Sequence, residues 1–134
     1  MNLKKTLQKK IRILFIEDDF ELRKLITENL KYCGFEVVEA VDGIEGHDKA
    51  LLYFPDLILL DLLLPKVDGL TLCQRLKSDT RTSNIPTLMI TALEELKYIL
   101  KDFGPVADDY IEKPFDLEEL IERIKALIKK NIKN

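Results

Sequence analysis

A chain of 134 residues, 46% hydrophobic and 34% charged, is long enough for one globular domain with a core, and its apolar runs are too short to span a membrane. The basic start MNLKKTLQKK lacks the apolar stretch of a secretory signal. Two distant cysteines, Cys33 and Cys73, suit neither a disulfide framework nor a metal knuckle, and are read as reduced packing residues of a cytoplasmic protein. The net charge of −3 conceals a division. Residues 1–12 and 123–134 carry five bases each and no acids, which leaves 24 acids and 11 bases in residues 13–122, a net of −13. So acidic a body favours metal ions or basic partners and disfavours direct nucleic-acid binding. The basic ends are read as solvated tails, an N-terminal extension over 1–10 and a C-terminal tail over 131–134.

In chain order, Ile11–Ile16 reads as a buried strand. Leu22, Leu25, Ile26, Leu30 and Cys33 mark a helical stripe that Gly34 stops. Phe35–Glu39 alternates as a second strand, and a weaker helix opens at Asp42-Gly43 and runs to about Phe54. Leu57–Leu60 is a strand apolar on both faces, followed by a loop from Asp61 to Asp68 and a helix around Leu70–Lys77. Pro86–Ile90 is the fourth strand, and Leu96, Ile99, Leu100 and Phe103 have the spacing of a fourth helix. Asp108–Ile111 is a short fifth strand. Asp116 starts the last helix, with Glu119 at capping-box spacing and a core face of Leu117, Leu120, Ile121, Ile124, Leu127 and Ile128.

Five βα units in alternation predict an α/β fold: one doubly wound, flavodoxin-like (βα)5 domain whose parallel five-stranded sheet has the order 2-1-3-4-5. Ligands of such sheets bind beyond the C-terminal strand ends. Those ends carry Glu17-Asp18-Asp19 after strand 1, Asp61 after strand 3, Thr91-Ala92 after strand 4 and Lys113-Pro114 after strand 5. Clustered carboxylates repel unless a cation holds them, and an all-oxygen site with few protein ligands suits Mg²⁺. A carboxylate beside a metal, a lysine and a hydroxyl is a poor general base but a fit nucleophile toward phosphorus. Asp61, alone at the end of the central strand, is the candidate acceptor. Asp19 is read as the N-cap of the first helix. Taken singly, each of these residues reads as a cap, a turn residue or a solvated side chain; their placement at successive strand ends does not.

The pieces ILFIEDD ending at Asp19, PDLILLDLLLPKVDGL over 55–70, IPTLMITA over 85–92 and ADDYIEKPF over 107–115 resemble the receiver domain of two-component response regulators, across residues 11–130. The resemblance implies that Asp61 is phosphorylated from the phosphohistidine of a sensor histidine kinase or a histidine phosphotransfer protein. It implies Mg²⁺, with Mn²⁺ able to substitute, on Glu17, Asp18, Asp61 and the backbone carbonyl of Leu63. Thr91 and Tyr110 match the switch pair, Lys113 and the Ala92 backbone bind phosphate, and the Lys113-Pro114 bond is cis. It implies a phosphoacceptor rather than an enzyme, one that promotes its own phosphorylation and dephosphorylation and acts through the face of helix 4, strand 5 and helix 5 on a homodimer partner, a downstream effector or an output domain. Two positions depart from the family's usual pattern: Pro105 would stiffen the approach to Tyr110, and Gly46-His47 stands in helix 2, His47 being read as a packing residue. Leu63 and Leu93 flank the acceptor and are expected to slow water attack on the phosphorylated state. The alternatives are a receiver-like interaction module working without phosphorylation, and a Mg²⁺-dependent aspartate-nucleophile phosphatase. The latter wants a second aspartate at position 63, where this chain has leucine.

Overall fold

The computed structural model describes residues 10–133, so the basic N-terminal extension, Lys10 apart, lies outside the described residues. Strands and helices alternate as β1 (Arg12–Ile16), α1 (Phe20–Tyr32), β2 (Glu36–Ala40), α2 (Gly43–Tyr53), β3 (Leu57–Asp61), α3 (Gly69–Ser78), β4 (Thr87–Ala92), α4 (Leu93–Phe103), β5 (Asp109–Lys113) and α5 (Leu117–Lys133). The sheet is parallel with the order β2-β1-β3-β4-β5, the flavodoxin-like topology. Among the described residues no helix is long and apolar enough to cross a membrane.

Successive side chains of a strand point to opposite faces, so strands apolar throughout fill two cores at once. Ile13, Phe15, Leu57, Leu59, Leu88 and Ile90 join Ile26 and Leu30 of α1 and Leu120, Ile124 and Ile128 of α5 on one face. Leu14, Ile16, Ile58, Leu60 and Met89 meet Ala50 of α2, Leu72, Cys73 and Leu76 of α3 and Ile99 of α4 on the other. Burial pushes the Cys73 thiol up to about 12, as befits a packing residue.

Three helices open on aspartates whose carboxylates accept amide hydrogens left unpaired in the first turn. Asp19 accepts from Glu21 N and Leu22 N, Asp42 from Glu45 N, and Asp68 from Thr71 N and Thr71 Oγ1. The Glu45 amide, with Lys66 beyond it, holds the Asp42 carboxyl below the usual carboxylate range. At the last helix Glu119 accepts from Arg123 Nε at 3.3 Å, an i, i+4 pair.

The structure corrects several sequence expectations. Cys33 is exposed, because it caps the C-terminus of α1 instead of facing the sheet. Leu25 is exposed as well; the buried side of α1 is Ile26, Thr27 and Leu30. In α4 only Ile99 of the expected stripe is buried, while Leu100 and Phe103 are exposed. That helix lies over the β4–β5 margin of the sheet, where there is too little neighbouring surface to cover a whole apolar face. Strands β4 and β5 run further than expected because the ladder continues through Thr91↔Glu112 and Ala92↔Lys113. Asp61 is likewise the last residue of β3, not the first of a loop. Helix α5 continues past residue 130 to Lys133.

Candidate functional site

Register decides which side chains meet. Ile16 pairs with Leu60, so Glu17 emerges level with Asp61; Asp61 pairs with Ile90, one residue before Thr91; and Ala92 pairs with Lys113. Four functional side chains therefore leave four strands at one edge.

Asp61 is 3% exposed, yet both of its carboxylate oxygens are engaged. Oδ2 accepts from Lys113 Nζ at 2.6 Å, and Oδ1 accepts from Leu63 N at 2.9 Å. Burial disfavours the Lys113 ammonium. The hydrogen bond and charge of Asp61, backed by Glu17 and Glu95, outweigh that and raise its pKa above the usual lysine value. The Lys113–Pro114 peptide bond is cis.

Glu17 is the odd member. Its Oε2 accepts from Asp19 N at 3.2 Å, but the buried Oε1 has no hydrogen-bond partner. Burial and the neighbouring charge of Asp61 push its carboxyl up to about 8, and the Asp18 carboxyl also lies against it. Asp18 itself is exposed at the rim. Arg23 braces this turn from below, donating Nη1 to the Glu17 carbonyl at 2.7 Å while its Nε bonds Glu39 at 2.9 Å.

An orphaned, buried carboxylate oxygen beside two further carboxyls is a donor set that fits a hard divalent cation. Among the described residues no group of three or more His, Cys, Asp or Glu side chains is arranged to hold a metal ion by itself. Glu17, Asp18 and Asp61 would thus leave much of the coordination to the Leu63 carbonyl and water, as Mg²⁺ tolerates.

Thr91 is 1% exposed, with Oγ1 3.2 Å from Ala92 O and 3.4 Å from Glu95 Oε2. The same Glu95 oxygen accepts from Ala92 N at 3.4 Å. Tyr110 is not brought to the cluster. Its hydroxyl accepts from the amides of Val106, at 2.7 Å, and Ala107, at 3.0 Å, in the loop before β5 that also holds Pro105. His47 is half-buried on α2, away from these strand ends.

Several supporting residues escaped the sequence reading. A Cβ on Gly69 would meet the Asp61 carbonyl at 2.4 Å, so only glycine lets α3 begin directly against the acceptor's backbone. A Cβ on Gly43 would sit 2.0 Å from Val67 O, which docks the loop after β3 on the start of α2. Lys66 holds that loop with φ 69 and reaches Asp42 at 3.3 Å. Both glycines follow an aspartate N-cap, and the repeated Asp-Gly pair was the available signal. Glu95, three residues after Ala92, was legible only as cap spacing.

A family model described as the response regulator receiver domain matches residues 13–125. The DNA-binding dual master transcriptional regulator RpaA of Synechocystis sp. is 50% identical over 119 residues, which cover 89% of this chain and 49% of that protein. The chain spans about half the length of the curated relatives it matches. Among solved structures, a response regulator from Chloroflexus aurantiacus superposes with a TM-score of 0.83 at 33% identity, covering 90% of this chain and 99% of that one. The receiver domain of a sensor histidine kinase from Pseudomonas aeruginosa, described with a magnesium ion coordinated in its active-site cleft, superposes at 0.82 with 27% identity and coverage of 90% and 99%. With its five parallel strands, its acidic strand ends and these relatives, the chain belongs to the receiver domain family of two-component response regulators.

Proposed function

We propose that Asp61 accepts a phosphoryl group from a phosphohistidine of a sensor histidine kinase or a histidine phosphotransfer protein, in the cytoplasm. The observation that carries this reading is the buried Asp61 carboxylate, 2.6 Å from Lys113 Nζ and beside the unpartnered Glu17 Oε1. Glu17, Asp18, Asp61 and the Leu63 carbonyl would hold Mg²⁺, or Mn²⁺ in its place. Bound there, the cation neutralises charge on the transferring phosphoryl group.

The chain's own residues supply the rest. An Asp61 oxygen attacks phosphorus and the imidazole leaves. Lys113 keeps its ammonium against the acceptor and then against a phosphoryl oxygen. Thr91 Oγ1 and Ala92 N are the remaining donors, and both now face Glu95. Turning them to the phosphoryl group releases that carboxylate. An inward swing of Tyr110 would leave the Val106 and Ala107 amides without their acceptor, so the loop at Pro105 has to rearrange with it. The resulting change on α4, β5 and α5 is read by an output domain, a separate effector or a second copy. Leu63, 62% exposed just after β3, and Leu93, 40% exposed at the start of α4, would hinder water attack on the acyl phosphate.

The experiment is intact-protein mass spectrometry after incubation with a small-molecule phosphodonor and Mg²⁺. A gain of one phosphoryl group that disappears in Asp61→Asn is expected. No gain, or an undiminished gain in Asp61→Asn, overturns the reading.

A further inference from the structure

Beside the acceptor pocket, on the α3 side of α4, lies a groove of about 400 Å³ that shares Leu63 and Glu95 with it. Its floor and walls are apolar, formed by Leu63 from the β3–α3 connection, Leu70 from the first turn of α3 and Tyr98 and Ile99 from α4. Leu63 and Tyr98 are 62% and 58% exposed, a concentration of uncovered apolar surface on one side of a helix that buries only Ile99. The rim is acidic: Asp68, Glu94 and Glu95 all border the opening, with no basic side chain among the lining residues.

We propose that this groove docks a basic amphipathic helix of a partner protein, with aliphatic residues four apart reaching the floor and flanking lysines or arginines meeting the rim. Charge complementarity selects that occupant. A second copy of this chain is a poor one, because residues 13–122 carry a net charge of −13 and would set acid against acid. Glu95 makes the groove more than a passive surface. The carboxylate that borders it also accepts from Ala92 N and lies 3.4 Å from Thr91 Oγ1. A cation from the occupant that engages Glu95 competes with those two donors, and a phosphoryl group on Asp61 that withdraws the donors frees Glu95 for the occupant. Binding in the groove and occupancy of the acceptor are therefore linked with the same sign. Docking itself does not depend on phosphorylation of Asp61; only the linkage rests on that reading.

The test uses a fluorescein-labelled synthetic peptide designed to be helical, with leucines four apart on one face and flanking lysines, titrated with the full chain and followed by anisotropy. Saturable binding is expected. Tyr98→Ala and Glu94→Lys, both exposed positions whose change leaves the core intact, should each weaken it by about tenfold, and Glu118→Lys on the exposed side of α5 should change it less than about twofold. The phosphodonor with Mg²⁺ should tighten binding in the parent and leave Asp61→Asn unchanged. Absence of saturable binding, equal binding of a peptide with scrambled leucines, or equal losses from Glu94→Lys and Glu118→Lys overturns the proposal. So does tighter peptide binding after removal of residues 1–9, which would make the chain's own basic segment the occupant, or concentration-dependent self-association abolished by Tyr98→Ala, which would make it a second copy. If the peptide binds as expected but the phosphodonor adds no mass, the phosphoacceptor reading fails while the docking site stands.

Discussion

The two ends of the sheet use the same residue types to opposite effect. At the N-terminal ends of β4 and β5, Asp108 Oδ2 accepts from Lys77 Nζ at 2.6 Å, Thr87 N at 2.7 Å and Thr87 Oγ1 at 3.1 Å. Lys77 also donates to the carbonyls of Ile85, at 2.8 Å, and Ser83, at 3.3 Å. Burial works against the Asp108 carboxylate, but these donors overcome it and hold its pKa below the usual range. At the C-terminal ends, Glu17 has an oxygen with no partner, and burial together with Asp61 pushes it up to about 8. A satisfied carboxylate network fastens loops and strands, whereas one left a donor short stores an affinity for a cation. That count of donors sets the two ends apart, and the end left short is the one the proposed function uses.

Five experiments break or sharpen the contrast. The largest effect belongs to Lys113→Ala, which removes the ammonium 2.6 Å from Asp61 and should slow phosphoryl uptake by roughly a hundredfold, read as the rate of mass gain. Next, Leu63→Asn combined with Leu93→Glu opens both exposed flanks of the acceptor and should speed decay of the phosphorylated form by about tenfold; decay no faster than the parent's would show that these leucines do not exclude water.

Removing the strain at Glu17 has a definite sign with pH. Its folded pKa, about 8, lies above the ordinary 4.5, so the folded state holds the extra proton between those values and stability falls as pH rises through that window. Glu17→Gln should therefore gain roughly 2 kcal/mol over the parent near pH 8.5 without divalent cations, and little near pH 4.5, in urea titrations with a chelator present. Asp108→Ala should do the reverse, losing about 1–2 kcal/mol at neutral pH, a modest figure because Asp108 is partly exposed. The Asp108 contribution is present above its ordinary 3.8 and is lost as pH falls through the lower folded value, so parent and variant should converge in strong acid. The smallest effect concerns the C-cap of α2, where Phe54 holds φ 47 while 70% exposed. Phe54→Gly should raise stability by about 0.5 kcal/mol with no change in phosphoryl uptake.

Local chemistry explains why so much of this was legible in advance. Runs such as LILLD and TLMITA announce strands buried on both faces, and Asp19, Asp42 and Asp68 announce helix starts, because those preferences are settled within a few residues. The β2-β1-β3-β4-β5 order is one of the few that alternation and crossover handedness allow. Elements at the margin were read less well. Leu96, Leu100 and Phe103 keep helical spacing whether or not a neighbour covers them, so periodicity could not say that α4 buries little besides Ile99. Cys33 failed for the same reason, being apolar enough for a core but placed on a cap.

The sequence by itself determined the elements, their order and which polar side chains stand at the strand ends, since each depends on a short segment and its own hydrogen-bonding and burial needs. Tertiary structure alone decided what those side chains feel. Lys113 reaches Asp61 across 52 residues, Glu17 is left with an unpaired oxygen, Tyr110 is tied to the Val106 and Ala107 amides, and Gly69 lets a helix start against the acceptor's carbonyl. Each of these is a distance between separate strands and loops. Distances of that kind come from register and packing, which no local preference encodes.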